Sequence, residues 1–344
     1  MPVQGGELFV CERTRHGEFA GRGAGKGHSD VLMFQQTIAS RIDFGGVGVH
    51  SGLPVRLSLL PAEIDTGIVF HLVGADGLIQ EIPAISSNST PSDLSTVVGN
   101  PNGSHVSTIE HLMAALYAMG IDNVVARIDA RETPILDGGS AEYVRGIAEA
   151  GVVSQVAKRR YLRVLKPVSI ELNEARAEYR PYAGTRFEVE IDFANAAIGR
   201  QAYRADLTAA RFTKDLARAR TFGFMADVER LWAAGYALGS SLDNSVVLSD
   251  EGRVVNPEGL RFEDEFVRHK ALDAVGDQAL GGFRILGCYR SYRGGHRLNA
   301  LALRALLADR KAYEIVEMPS RRVDPVRHAP LVAVAAPAFG PQVL

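Results

Sequence analysis

The residues best placed to do chemistry lie in one helix-compatible run, residues 265–277, where His269, Asp273 and Asp277 stand four apart. On a 3.6-residue period each step of four drifts by only about 40°, so one face carries an imidazole and two carboxylates. Phe266, Leu272 and Val275 occupy other angles and can pack on a sheet. Such a stripe serves salt bridging more often than catalysis, and the run alone does not separate the two.

A second stretch adds what a metal site lacks. His111, with His269 and Asp273, completes a two-histidine, one-carboxylate set of the kind that leaves a hydrolytic zinc open to water, and two imidazoles favour zinc over a hard cation. Glu110 sits about 100° round the helix from His111. It therefore cannot share the ligand direction, but it can act as general base on a metal-activated water. The competing reading is structural, because Ser107-Thr-Ile-Glu110 has the pattern of a capping box with Ser107 as N-cap. Ala115 stands where a zincin needs its second histidine, which excludes that class. His296 follows Gly294-Gly295 on a glycine-rich turn, and Asp277, one helical turn beyond Asp273, can hold it as an imidazolium.

These residues need elements to position them. Residues 55–59 alternate with period two and residues 67–73 form a short apolar strand, an antiparallel start. Residues 107–120 read as a helix with a buried stripe of Leu112, Ala115, Leu116 and Met119 and with Gly120 as its stop. A strand over 123–128, a turn at 134–140 and a helix ending near Gly151 follow. The second half repeats the order, with strands at 161–165, 168–172, 177–179 and 187–192, an insertion, then a helix pair that includes residues 265–277, and a strand over 284–292. Two halves of strands then helices predict α+β domains, each a sheet covered on one face by helices. The boundaries expected are a disordered extension over 1–34, domains over 35–157 and 158–317, and a loose tail over 318–344.

Composition narrows the classes. The chain has 344 residues, 46% apolar and 23% charged, with a formal net charge of −2, so no global electrostatic case for nucleic acid or membrane attraction exists. Cys11 and Cys288 are far apart and support neither a disulfide framework nor a thiolate site. No apolar run approaches the roughly 18 residues that span a bilayer, and the N-terminus lacks a hydrophobic signal core. A cytoplasmic protein is expected. Residues 21–27 look superficially like a phosphate loop, but Ala20 and Gly27 replace the first glycine and the hydroxyl residue of that pattern.

Six runs then point together. Ser107-Thr-Ile-Glu-His-Leu, Gly120-Ile-Asp-Asn, Pro134-Ile-Leu-Asp-Gly, Ala219-Arg-Thr221-Phe-Gly-Phe-Met, the stretch from Gly259 to Asp273, and Gly295-His296 closely resemble the UDP-3-O-acyl-N-acetylglucosamine deacetylases over residues 37–316. The resemblance implies a zinc amidohydrolase of two β-α-α-β domains packed with their helices facing, an insertion in each, acting at the committed step of lipid A synthesis. It implies that His111, His269 and Asp273 hold one zinc ion and that Glu110 takes a proton from water. Thr221 would hold the oxyanion, and His296, oriented by Asp277, would be general acid or charge stabiliser. It further implies that Lys270, pointing away from its neighbours, touches phosphate, that Asp192, Phe193 and Arg293 lie near the nucleotide, and that Phe222, Phe224, Val228 and Leu94 line the acyl passage. Surface and core roles are the alternatives for these last residues. A deacetylase of another UDP-sugar and a non-catalytic binder of sugar nucleotide or acyl chain remain alternatives for the chain. A monomer is the favoured state.

Overall fold

The computed structural model describes residues 33–317. The expectations placed on residues 1–32, Cys11 and the phosphate-loop-like run among them, and on the tail over 318–344, lie outside the described residues. The first described strand, Phe34–Ile38, pairs antiparallel with Val152–Lys158.

The fold is mixed α+β, with six helices among the described residues: α1 (Glu110–Met119), α2 (Ala141–Ala150), α3 (Ala209–Asp215), α4 (Met225–Ala233), α5 (Glu265–Ala279) and α6 (His296–Ala308). One five-stranded sheet runs in the order Ile42–Val47, Pro54–Pro61, Val124–Ile128, Ile68–Val73, Ile79–Pro83. The antiparallel start is only part of it, because Ile68–Val73 and Val124–Ile128 pair in parallel, with α1 in the crossover between them. Period-two patterning decides which face is covered: Val55, Leu57 and Leu59 are buried while Arg56 points outward.

The second sheet is built around Arg284–Tyr292. That strand pairs with Arg160–Val164 and Thr185–Asp192 in parallel and with Ala175–Arg180 antiparallel. A strand Arg200–Asp206, within the stretch expected to be an insertion, pairs with Thr185–Asp192. Its inner face buries Ala177, Tyr179, Phe187 and Val189, and its outer face carries ion pairs such as Arg290–Glu188 at 2.9 Å. Each half also carries a small extra sheet, three-stranded over 89–106 and a two-stranded parallel pair, Thr221–Phe224 with Ser245–Leu248.

Helices α1 and α5 pack against each other between the two large sheets, which is why neither shows a simple amphipathic stripe. In α1, Met113, Ala114, Tyr117 and Ala118 are buried along with the expected Leu112, Ala115 and Leu116. The contact is close enough to require glycine: a Cβ on Gly276 of α5 would fall 2.0 Å from the Glu110 carbonyl oxygen. Helix α1 ends as its sequence indicates, with Gly120 in the left-handed region at φ 91°. Among the described residues no helix is long and apolar enough to cross a membrane.

Candidate functional site

The α1–α5 contact brings three of the predicted chemical residues to one point. His111, His269 and Asp273 are each at least nine-tenths buried, and one ligand atom from each lies within 4.8 Å of the others. His111 Nε2 is 3.6 Å and His269 Nε2 3.3 Å from Asp273 Oδ1. Such spacings are close to the ~3.4 Å between corners of a tetrahedron with arms of about 2.0–2.1 Å. The tautomer of His269 is set from behind, because Nδ1 donates to the Ala219 carbonyl at 3.1 Å and leaves the Nε2 lone pair facing Asp273. Burial pushes the His269 pKa down to about 3, so the ring is neutral, as a ligand must be. Burial works against ionisation of Asp273, but the Lys270 ammonium and the His296 imidazolium hold its carboxyl well below the usual range. Asp273 Oδ1 is nevertheless buried without a hydrogen-bond partner. A structural salt bridge would satisfy that oxygen, whereas a cation-sized gap between it and two imidazole lone pairs leaves it for a metal.

Beside the trio sit Glu110, Asp277 and His296, all buried. The capping box expected from Ser107 and Glu110 does not form. The N-cap of α1 is Ile109 with no side-chain cap, Ser107 Oγ donates instead to the Arg131 carbonyl at 3.1 Å, and Glu110 Oε2 accepts from the Thr96 amide at 2.9 Å. Glu110 thus starts the helix with its carboxylate turned toward the site, its Oε1 3.8 Å from His296 Nε2. Burial raises its pKa, against the pull of His296 and His111. His296 opens α6 rather than lying on the turn before it. Its Nδ1 donates to Asp277 Oδ2 at 3.0 Å, and its Nε2 lies 3.8 Å from Asp273 Oδ2. Burial opposes the charged form of His296, but Asp277, Glu110 and Asp273 outweigh it and raise the pKa to about 9. Asp277 is fixed in turn by Asn299 Nδ2 at 2.7 Å and by the Thr96 hydroxyl.

The arrangement therefore offers a metal-sized gap, a buried carboxylate of raised basicity and an imidazolium within one small volume. The family model described as LpxC, UDP-3-O-acyl N-acetylglycosamine deacetylase, matches residues 35–308. Proteins named UDP-3-O-acyl-N-acetylglucosamine deacetylase from Brucella ovis, Brucella abortus and Brucella melitensis are each 52% identical over 286 residues, covering 83% of this chain and 99% of each relative. The chain belongs to the UDP-3-O-acyl-N-acetylglucosamine deacetylase family.

In this family member the walls of the site come from the segment before α4 and from the sheet edge. Arg220 is fully buried, its Nε on Glu265 Oε1 at 2.9 Å and its Nη2 on the Gly259 carbonyl at 2.7 Å. That pairing pins the strand Thr221–Phe224 to the start of α5 and so places the Ala219 carbonyl behind His269. Thr221 is anchored by its amide on the Gly138 carbonyl at 2.9 Å. Phe222 packs edge-on to Phe266 and His269, with ring centroids 5.0 and 6.2 Å away. Phe193 meets Phe222 at 5.8 Å and Phe224 at 6.2 Å, so three aromatic rings form one wall. Val228 is half-buried on α4, and Leu94 is 44% exposed.

Lys270 takes a direction other than the expected one. Its ammonium does not point away but donates to Asp273 Oδ2 at 3.0 Å and lies 5.6 Å from the Phe222 centroid. Residues i and i+3 are neighbours on a helix, and a long flexible stem lets the charge fold back onto the carboxylate. Asp192 and Arg293 are brought together, Arg293 Nη2 donating to Asp192 Oδ2 at 2.9 Å beside the Tyr292 hydroxyl at 2.8 Å. Sequence reasoning missed Thr96 and Asn299. Thr96 lies in the aperiodic segment before α1 and carries no pattern, whereas Asn299 sits one turn after His296 on α6, a spacing that could have marked it.

Proposed function

We propose that this family member is a zinc-dependent hydrolase that removes the N-acetyl group from UDP-3-O-acyl-N-acetylglucosamine, giving the 3-O-acyl-glucosamine nucleotide and acetate, in lipid A biosynthesis. The observation that carries the reading is the buried, unpartnered Asp273 Oδ1 set between His111 and His269, with Glu110 and His296 beside it. His111, His269 and Asp273 would hold the ion, and two imidazoles favour zinc. A zinc ion there supplies Lewis acidity and makes water a nucleophile near neutral pH.

The protein's own groups divide the remaining work. Glu110, anchored on the Thr96 amide and raised in pKa by burial, takes the proton of the attacking water. His296, kept cationic by Asp277, faces the same volume from the other side and stabilises negative charge developing on the acetamide oxygen, with Thr221 as a further donor. The same imidazolium delivers a proton to the departing amine. Phe222, Phe224, Val228 and Leu94 are assigned to the acyl chain as apolar side chains, the first three half-buried and Leu94 exposed. The Asp192, Phe193 and Arg293 cluster is assigned to the nucleotide. Lys270 is occupied by Asp273, and we assign to it the task of holding Asp273 as an anion. The work is assigned to the cytoplasm and to a monomer.

Acetate release from the acylated UDP-sugar, measured with and without a chelator, tests the reading. Release that stops on chelation and returns with zinc is the expected result. No release from a metal-replete, folded protein would refute it.

A further inference from the structure

A cavity of about 610 Å³ opens at the C-terminal ends of α1 and α5, beyond the far ends of these helices from the histidine ligands. Its inner wall is apolar, made by Ile68, Met113, Leu116, Ile121, Phe283 and Leu307. None of His111, His269, Asp273, Glu110 or His296 lines it, and Ser86 and Leu280 separate it from the small cleft beside Asp277. The size and the apolar lining are those of a small-molecule site.

The charge at its mouth is unbalanced. Arg159, Arg160, Arg284 and Arg310 line it against only Asp65 and Asp122, which leaves two positive charges over. Asp65 is taken by Arg160 at 3.0 Å, and Asp122 is taken twice by Arg159, through Nε at 3.0 Å and Nη2 at 2.6 Å. Arg284 is left with a carboxylate no nearer than 3.8 Å from its Nε, and that Nε is buried without a hydrogen-bond partner. Its Nη2 donates to the Tyr117 carbonyl. Arg310 bonds the Tyr313 hydroxyl at 2.5 Å and, among the described residues, has no carboxylate partner. Burial, and after it the neighbouring Arg159, pushes Arg284 below the ordinary guanidinium value, consistent with a charge that wants an anion.

We propose that this cavity is a second ligand site, for an alkyl carboxylate, with the acidic head on Arg284 and Arg310 and the apolar body against Met113, Leu116, Ile121 and Leu307. A monoanion fits better than a dianion because the Asp122 carboxylate already stands close to Arg284. A forked guanidinium suits a carboxylate in particular. The site is distinct from the acyl passage assigned to Phe222 and Phe224, so the two assignments stand or fall separately.

Photolabelling of the full chain with a diazirine-bearing dodecanoic acid, followed by peptide mapping, tests it. The expected result is label on the peptides carrying Met113 to Ile121 or Phe283, cut about tenfold in Arg284→Gln and in Arg310→Gln. Label on the Phe222 and Phe224 peptide should be unaffected by both changes. Arg310 is exposed, so its substitution tests charge without a folding penalty. A neutral dodecanol diazirine should label the cavity weakly. Absence of cavity label, or label that both arginine variants and the neutral probe leave equal, would overturn the proposal, whatever the Phe222 peptide shows.

Discussion

At the scale of single residues, the division of labour between Glu110 and His296 is decided by charge. Both are buried, yet burial raises one pKa and is overruled for the other, so the carboxylate is kept basic and the imidazole kept protonated. Glu110→Gln preserves shape and the acceptor for the Thr96 amide, and it removes only the proton acceptor. Metal content should be unchanged while kcat falls by about 10² or more, the usual scale for a lost general base. Metal loss with full activity per loaded molecule would instead make Glu110 a structural residue. His296 is the opposite case. Its pKa is raised, so its cationic contribution is complete below the ordinary 6.5 and is lost as pH rises through the raised value of about 9. A divalent ion at Asp273 cancels part of the negative field and draws that value down, which places the basic limb of kcat between those limits. His296→Ala should depress kcat much more than it raises KM and should alter that limb, with Asp277→Asn a milder version. Because both act through one cation, the double variant should be far from additive. Additive losses, or a loss carried mainly by KM, would assign His296 to substrate binding.

At the scale of elements, the site depends on how closely α1 and α5 approach. Adding a methyl at Gly276 places carbon 2.0 Å from a backbone oxygen, and backbone cannot rotate aside as a side chain can. Gly276→Ala should therefore destabilise by about 1–3 kcal/mol and shift Glu110 relative to Asp273. Urea unfolding and kcat measured together check this, and a variant with unchanged midpoint and unchanged kcat would show the contact to be softer than its geometry implies. Elements of this kind were largely legible in the sequence, because the i, i+4 spacing of His269 and Asp273 and the strand alternation at 55–59 are local signals. What escaped was set by contacts distant in sequence. Ser107 and Glu110 fit a capping pattern, but the Arg131 carbonyl and the Thr96 amide offered each a better partner. The parallel pairing of Ile68–Val73 with Val124–Ile128 is likewise invisible locally, since a strand's own residues do not encode its neighbour's direction. Thr96 binds Asp277 from 181 residues away, a separation no spacing rule reaches.

At the scale of the whole molecule, the trio is also a clasp. His111 comes from the helix between strands of the first sheet, and His269 and Asp273 from the helix packed on the second. An ion held by all three would tie the two layers together, and a ligand that binds only the folded state stabilises it by RT ln(1 + [L]/Kd), about 4 kcal/mol at a thousandfold excess over Kd. Unfolding entropy of about 2.1 cal/mol/K per residue, over the 285 described residues from 33 to 317, is about 0.6 kcal/mol/K. Removing the metal should therefore lower Tm by about 7 °C, and returning zinc should restore it. His111→Ala should lose the zinc-dependent part of Tm, whereas Glu110→Gln should keep it, since Glu110 is not one of the three ligands. Differential scanning calorimetry of chelated and reloaded protein reads this without any substrate. A Tm indifferent to the metal, in protein whose activity still requires it, would mean that the layers are held by their own packing and that the ion is a reagent seated in a rigid site.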